Sequence, residues 1–148
     1  NTALIVDGDS AVVVGASGVI VVDGRTASRT AAHRASELTV SLAGAGDVID
    51  LRTLEIRVRS DKRVVPIVDA SVELPEDPFA RWAFLHLVAG LAHSSAREVT
   101  FDLPDATLRV VKDAGFSASM VESTGGVEMT PMGLSAGPFR VDLLPSGS

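Results

Sequence analysis

Thr26-Ala27-Ser28-Arg29-Thr30-Ala31-Ala32-His33-Arg34-Ala35-Ser36-Glu37-Leu38 is the stretch on which the fold class turns. It is rich in Ala and holds neither Gly nor Pro, the residues that most disfavour a helix interior, and so it predicts a helix. Three short apolar runs precede it: Ala3–Val6, Ala11–Val14 and Val19–Val22. Asp7-Gly8, Gly15-Ala16-Ser17-Gly18 and Asp23-Gly24 bound them as turn signals. Runs rich in β-branched residues between turn signals predict strands, and runs apolar on both faces predict buried ones.

Beyond the helix, Gly44-Ala45-Gly46 is a break. Leu54-Glu55-Ile56-Arg57-Val58-Arg59 alternates strictly and predicts a half-exposed strand. Asp61-Lys62 turns the chain, and Val64–Val68 predicts another strand, with Pro66 at an edge or end. Asp77-Pro78 reads as a helix start, with Asp as N-cap and Pro in the first helical position. The helix that follows, Phe79–His93, is apolar on nearly every side and is expected to be buried. Glu98–Asp102 predicts a strand. Asp105 caps a further helix, Ala106–Ala114, which Gly115 ends. Phe116–Glu122, Val127–Thr130 and Phe139–Leu143 complete the expected strands, with a turn at Gly125-Gly126.

From Leu54 the expected order is therefore β, β, α, β, α, β, β, β. The expected class is α/β (α+β): a mixed sheet with helices on one face, divisible into two βαβαββ-type repeat units. Residues 1–148 form one compact domain, with 1–60 and 61–148 as candidate sub-units, or a fragment of a larger protein. The start at Asn1 rather than Met and the Ser146-Gly147-Ser148 end favour a fragment.

Hydrophobic residues at 46% against charged residues at 22% supply enough apolar surface for a core, which excludes a disordered chain. A net charge of −6 argues against general nucleic-acid binding, which depends on clustered cations releasing counterions. The absence of Cys removes disulfides, Cys-based metal centres and thiol nucleophiles. No uncharged apolar run approaches the roughly 18–20 residues that span a bilayer, and a cytoplasmic location is expected.

Several motifs are candidates for chemistry. Val14-Gly15-Ala16-Ser17-Gly18-Val19 has the look of a nucleotide-binding glycine turn but lacks the third Gly and the following helix, so a β-turn is expected. At Gly24–Thr30, where strand gives way to the expected helix, backbone amides, the hydroxyls of Thr26 and Ser28 and the guanidinium groups of Arg25 and Arg29 could surround an anion. The same residues also suit a cap on a surface helix with two solvated arginines. His86 and His93, seven apart on one helix face, are too far apart to share a metal unaided, and a buried, backbone-bonded His is expected. Arg52, Arg57, Arg59, Lys62 and Arg63, interrupted by Glu55 and Asp61, read as a solvated strand face or as a mouth for an anionic ligand. Asp47, Asp50, Glu73 and Glu76 are further acids; Asp69, at the end of an apolar strand, is either a site carboxylate or a turn former. No metal and no cofactor is expected.

Val68-Asp69-Ala70-Ser71-Val72, leading into Phe79–His93, resembles the enolpyruvyl transferase family. The likeness extends through Val64–Ala92, Arg97–Leu103, Thr107–Gly115 and Ser117–Thr130 to Gly133-Leu134 and Phe139–Leu143. Upstream, Thr26-Ala27-Ser28-Arg29 is similar to that family's Gly-Thr-Ala-x-Arg helix start. The resemblance implies a bacterial, transferase-like domain that binds a small phosphorylated or carboxylated ligand through Arg25, Thr26, Ser28, Arg29, Asp69 and Ser71. Val72-Glu73-Leu74-Pro75 stands where the family presents Ser-Ser-Gln, and the family's active site forms between two domains. The implied domain is thus incomplete for catalysis and needs a flanking domain or partner. The alternative is a non-catalytic regulatory or protein-interaction module, similar to a STAS domain. A third, the C-terminal half of a GNAT-type acyltransferase, resembles the chain at Ala114-Gly115-Phe116.

Overall fold

Gly8 takes a φ of 58°, the positive value that a two-residue hairpin loop asks of its first residue, and the chain reverses between Asp7 and Ser10. The strands on either side are β1 (Thr2–Asp7) and β2 (Ser10–Gly15). Then follow β3 (Val19–Asp23), β4 (Ser28–Ala31), β5 (Arg34–Ala43), β6 (Val48–Asp50), β7 (Ile56–Arg57) and β8 (Arg63–Val64). Helix α1 (Ala83–His93) comes next, and β9 (Glu98–Asp102), β10 (Ala106–Met120) and β11 (Ser135–Pro145) end the chain. The structure is a computed structural model describing residues 2–31, 34–67, 71–120 and 133–145.

Two sheets result, one ordered β1-β2-β6-β7 and the other β3-β5-β11-β10-β8, with β4 also on β5 and β9 also on β10. Every described pairing is antiparallel. Strand makes up 54% of the chain and helix 10%, so the coarse α+β class holds with the weight on sheet.

Two expected helices are strands. The 26–38 stretch forms β4 and the start of β5. Leu38-Thr39-Val40-Ser41-Leu42 already alternates, but Glu37 hides the start of that pattern. Its φ of 62° marks an irregular position, and the pairing with β11 shifts register between Val141 and Leu143. Helix propensity is worth tenths of a kcal/mol per residue, and β5 gains hydrogen-bonded neighbours on both sides instead. Residues 106–114 belong to β10. Gly115, expected as a helix stop, has φ 78° and sits where the β10–β11 register shifts between Lys112 and Ser117. Its positive φ serves an irregularity within a strand, not a helix end. The two βαβαββ units therefore do not form.

The remaining expectations differ in their bounds. Phe79–His93 is helical only from Ala83: the Asp77 carboxylate accepts from the Phe79 amide (2.9 Å) as a cap would, but the chain closes a single turn there, the Ala80 amide donating to the Asp77 carbonyl (3.2 Å). Trp82, at φ 67°, stands between that turn and the helix. The strands at 54–59 and 64–68 shrink to β7 and β8. Val127–Thr130, like His33, lies outside the described residues.

Side-chain alternation sets the layers. On β5, Val40 and Leu42 join Leu85, Val88 and Leu91 of α1 in the main core, with Leu108, Val110, Phe139 and Val141 from β10 and β11. Ala43, with Val19 and Val21 of β3, faces the other way and packs on Ala11, Val13 and Ile49 of the smaller sheet. The larger sheet thus lies between α1 and the smaller sheet. Phe139, fully buried, stacks against Phe116 with ring centroids 4.9 Å apart.

His93 closes α1 inside this core, its Nδ1 without a hydrogen-bond partner among the described residues. Desolvation lowers its pKa below 6.5, opposed by a backbone hydrogen bond at Pro66. The unfolded chain takes a proton near pH 6.5, whereas the folded chain takes it only at lower pH. Unfolding free energy from urea titrations should be flat above that pH and fall as pH drops below it toward about 5; His93→Phe should flatten the fall. Phe139→Ala should cost about 3–5 kcal/mol in the same assay.

Candidate functional site

Arg25 makes four side-chain hydrogen bonds. Its guanidinium makes a two-point contact with Asp23 (2.9 and 2.7 Å) and donates to the carbonyl oxygens of Arg52 and Thr53 (2.8 Å each). The side-chain hydrogen bond from Arg25 is the main cause that holds the Asp23 carboxyl at about 2. The pair fastens the end of β3 to the 52–53 loop. The Thr26 hydroxyl faces the Glu37 carbonyl (3.5 Å), and the Ser28 and Ser36 hydroxyls meet across the β4–β5 hairpin (2.7 Å). Arg29 pairs through its backbone with Ala35. Ser71 is exposed, and Asp69 lies outside the described residues. A hairpin occupies the place of the expected helix, so no helix N-terminus presents amides beside Arg25.

The basic run at 52–63 also divides. Arg59 pairs with Asp61 on the surface, while Lys62 turns inward. The Lys62 ammonium lies 3.0 and 3.1 Å from the two oxygens of Asp47 and 2.6 Å from Ser135 Oγ, with both charged side chains wholly out of water. Ser135 donates to the same carboxylate, as do the amides of Gly44 (2.8 Å) and Arg59 (2.9 Å). A Cβ at Gly44 would stand 2.7 Å from the ammonium, so a side chain there would displace it from the carboxylate. A serine beside a lysine is the pattern of a base-activated nucleophile. Here the hydroxyl proton is directed to Asp47 and the ammonium donates into the same carboxylate, so neither group is poised to react. The cluster joins the 44–47 loop, the 59–62 turn and β11.

Among the described residues, three open surfaces bear on binding. A cleft of about 430 Å3 lies over the face of the larger sheet opposite α1, lined by hydroxyls of Thr39, Ser41 and Ser117 with Asp23 and Glu55. An apolar groove of about 720 Å3 runs between β3 and the lead-in to α1, with Ile20, Val22, Phe79 and Trp82 on its walls. Third, β1 is the outermost strand of the smaller sheet. Val13 lies opposite Leu4, yet its amide donates to the Asp47 carbonyl (3.0 Å) and its carbonyl accepts from Gly46 (2.8 Å). The backbone of Val13 thus points away from β1. In an antiparallel ladder the residue opposite does likewise, so Leu4, and by alternation Thr2 and Val6, direct their N–H and C=O groups out of the sheet edge. Leu4, Ile5 and Val6 are 44%, 59% and 60% exposed along it.

Among the described residues no group of three or more His, Asp or Glu could hold a metal, and no helix is long and apolar enough to cross a membrane. No family model, no curated protein and no solved structure matches the chain.

Removing the cation from the buried cluster should be costly, because an uncompensated carboxylate stays inside. Lys62→Met is expected to lose about 3–5 kcal/mol in urea unfolding, against less than about 0.5 kcal/mol for Arg57→Met on the surface. In Arg25→Ala, the Asp23 carboxyl should titrate by NMR above about 2 but still short of its ordinary 3.8, because the amide of residue 25 continues to donate to it (3.0 Å).

Proposed function

We propose that this domain is a non-catalytic protein-interaction module that accepts an extended segment along β1. One observation carries the proposal: an outermost strand with three consecutive exposed large apolar residues and backbone groups directed outward. Proteins blunt such edges with charges, prolines or shortness, and an edge left bare is a template for strand addition. The other edges are blunted. β7 and β8 are two residues each, set among Glu55, Arg57, Arg59 and Arg63. β9 carries Glu98 in an ion pair with Arg109. β3 also leaves Ile20 and Val22 exposed, but only at alternate positions; it gives way to β4 along one side of β5, with the Asp23–Arg25 pair at its end. On β1, Asp7 is the single charge.

The rival proposal is an enolpyruvyl-transferase-like domain that takes a small anion at the 25–29 turn. The helix it calls for is a hairpin, and Arg25 already has four acceptor contacts.

One pair of measurements separates the two. A short peptide of alternating apolar residues, titrated into 15N-labelled domain, should shift amides of β1 and its neighbour β2, and Ile5→Lys should abolish the shifts. Phosphoenolpyruvate at millimolar concentration should leave the melting temperature unchanged. A rise with phosphoenolpyruvate that Arg25→Ala removes, together with a silent β1, would reverse the assignment.

A further inference from the structure

The exposed large apolar residues of β1 are centred on Ile5, with Leu4 on one side and Val6 on the other, and the exposed Ala3 adds only a methyl group beyond them. Resting on the reading of β1 as a docking edge, we infer that its occupant is β1 of a second copy of this chain, paired antiparallel about a two-fold axis through Ile5.

The geometry restricts the register. Opposite residues in an antiparallel pair project on the same face of the sheet. Leu4 and Val6 lie opposite Val13 and Ala11, which face the larger sheet, so they share that face; Ile5 lies opposite Val12 and takes the other. A two-fold axis perpendicular to the sheet keeps each face continuous, so even-numbered residues must meet even and odd meet odd. Centred on Ile5, the pairing sets Leu4 against Val6 of the second copy and Val6 against its Leu4, with Ile5 against Ile5. All three large exposed apolar side chains then find apolar partners. Centring on Leu4 would instead set Val6 against Thr2.

The backbone agrees with the same register. Leu4 and Val6 are the residues whose N–H and C=O groups point outward, and these become the hydrogen-bonded pairs of the new ladder. Ile5, bonded inward to β2, becomes the close non-bonded pair in the centre. Neither strand places a like charge opposite a like charge. Asp7 falls opposite Ala3 of the second copy, and the two Asp7 residues stand about four positions apart, ~14 Å at strand rise, beyond the ~8–10 Å over which salt screens.

The arrangement also answers an oddity of the monomer. Leu4 and Val6 project on the inner face of the smaller sheet, yet they remain exposed, and the buried cluster between the sheets contains residues of β2 and β6 but none of β1. The strand overhangs the larger sheet. In the pair the two overhangs adjoin, and the inward rows of both copies cover one another.

The chain's lack of Cys makes a position-specific test available. Sedimentation equilibrium of the whole domain should show a concentration-dependent dimer that Ile5→Lys returns to monomer, with a melting temperature equal to the wild type's at dilutions where the wild type too is monomeric. Ile5→Cys should cross-link readily under mild oxidation, because a central non-bonded pair holds its Cα atoms about 4.5 Å apart, within disulfide reach. Leu51→Cys, also exposed but on a loop, should cross-link at least tenfold more slowly. A dimer that survives Ile5→Lys, or equal cross-linking at positions 5 and 51, would overturn the self-pairing. A monomer at all concentrations would overturn it too; if the apolar peptide still shifted β1 amides, the docking edge would stand and its partner would be another protein.

Discussion

The carboxylate of Asp47, wholly removed from water, organises this molecule. Such a charge is tolerated only when donors surround it, and they arrive from three separate segments: the amide of Gly44, the amide of Arg59 with the ammonium of Lys62, and the hydroxyl of Ser135. The main chain of the same residue receives the amide of Val13. That last bond sets the phase of the β2 ladder, and with it which residues of β1 turn their backbone outward. A buried acid on one side of the smaller sheet thereby determines what the opposite edge offers to solvent.

The larger sheet owes its solidity to being covered twice. Alternate residues of β5 face α1 and the smaller sheet, so one strand feeds two cores. The smaller sheet has no such cover at its margin. Its inner residues are buried at β2 and β6 but lose their neighbour at β1, where leucine and valine meet water. Stability and docking capacity are therefore spatially separated, and altering the edge need not disturb the centre.

The first three strands, the turn at Gly8, β9 and the body of α1 could be read from composition and punctuation alone. The two expected helices could not, and the cause is the same in both. Glu37 and Gly115 each sit where strand pairing shifts register, and each shift breaks the two-residue alternation from which a strand is recognised. Gly115, after the Asp105 cap, then mimicked the end of a helix. The buried charged cluster was hidden for a different reason. Lys62 sits in a basic run that looks solvated, and its partners Asp47 and Ser135 are 15 and 73 residues away. Only the tertiary fold brings them together. Arg25 and Asp23, two residues apart, were close enough to be read together, yet the carbonyls that hold the arginine come from the 52–53 loop.

Trp82 is the single tryptophan, and the chain has no tyrosine. It stands at the groove beside β3 with the Arg81 guanidinium 5.5 Å from its ring, in a left-handed backbone conformation that side chains seldom adopt. Near-ultraviolet absorption and emission therefore issue almost wholly from one indole at the mouth of that groove. Its colour and quantum yield register wetting of the helix lead-in, and are blind to most of the β-sheet interior.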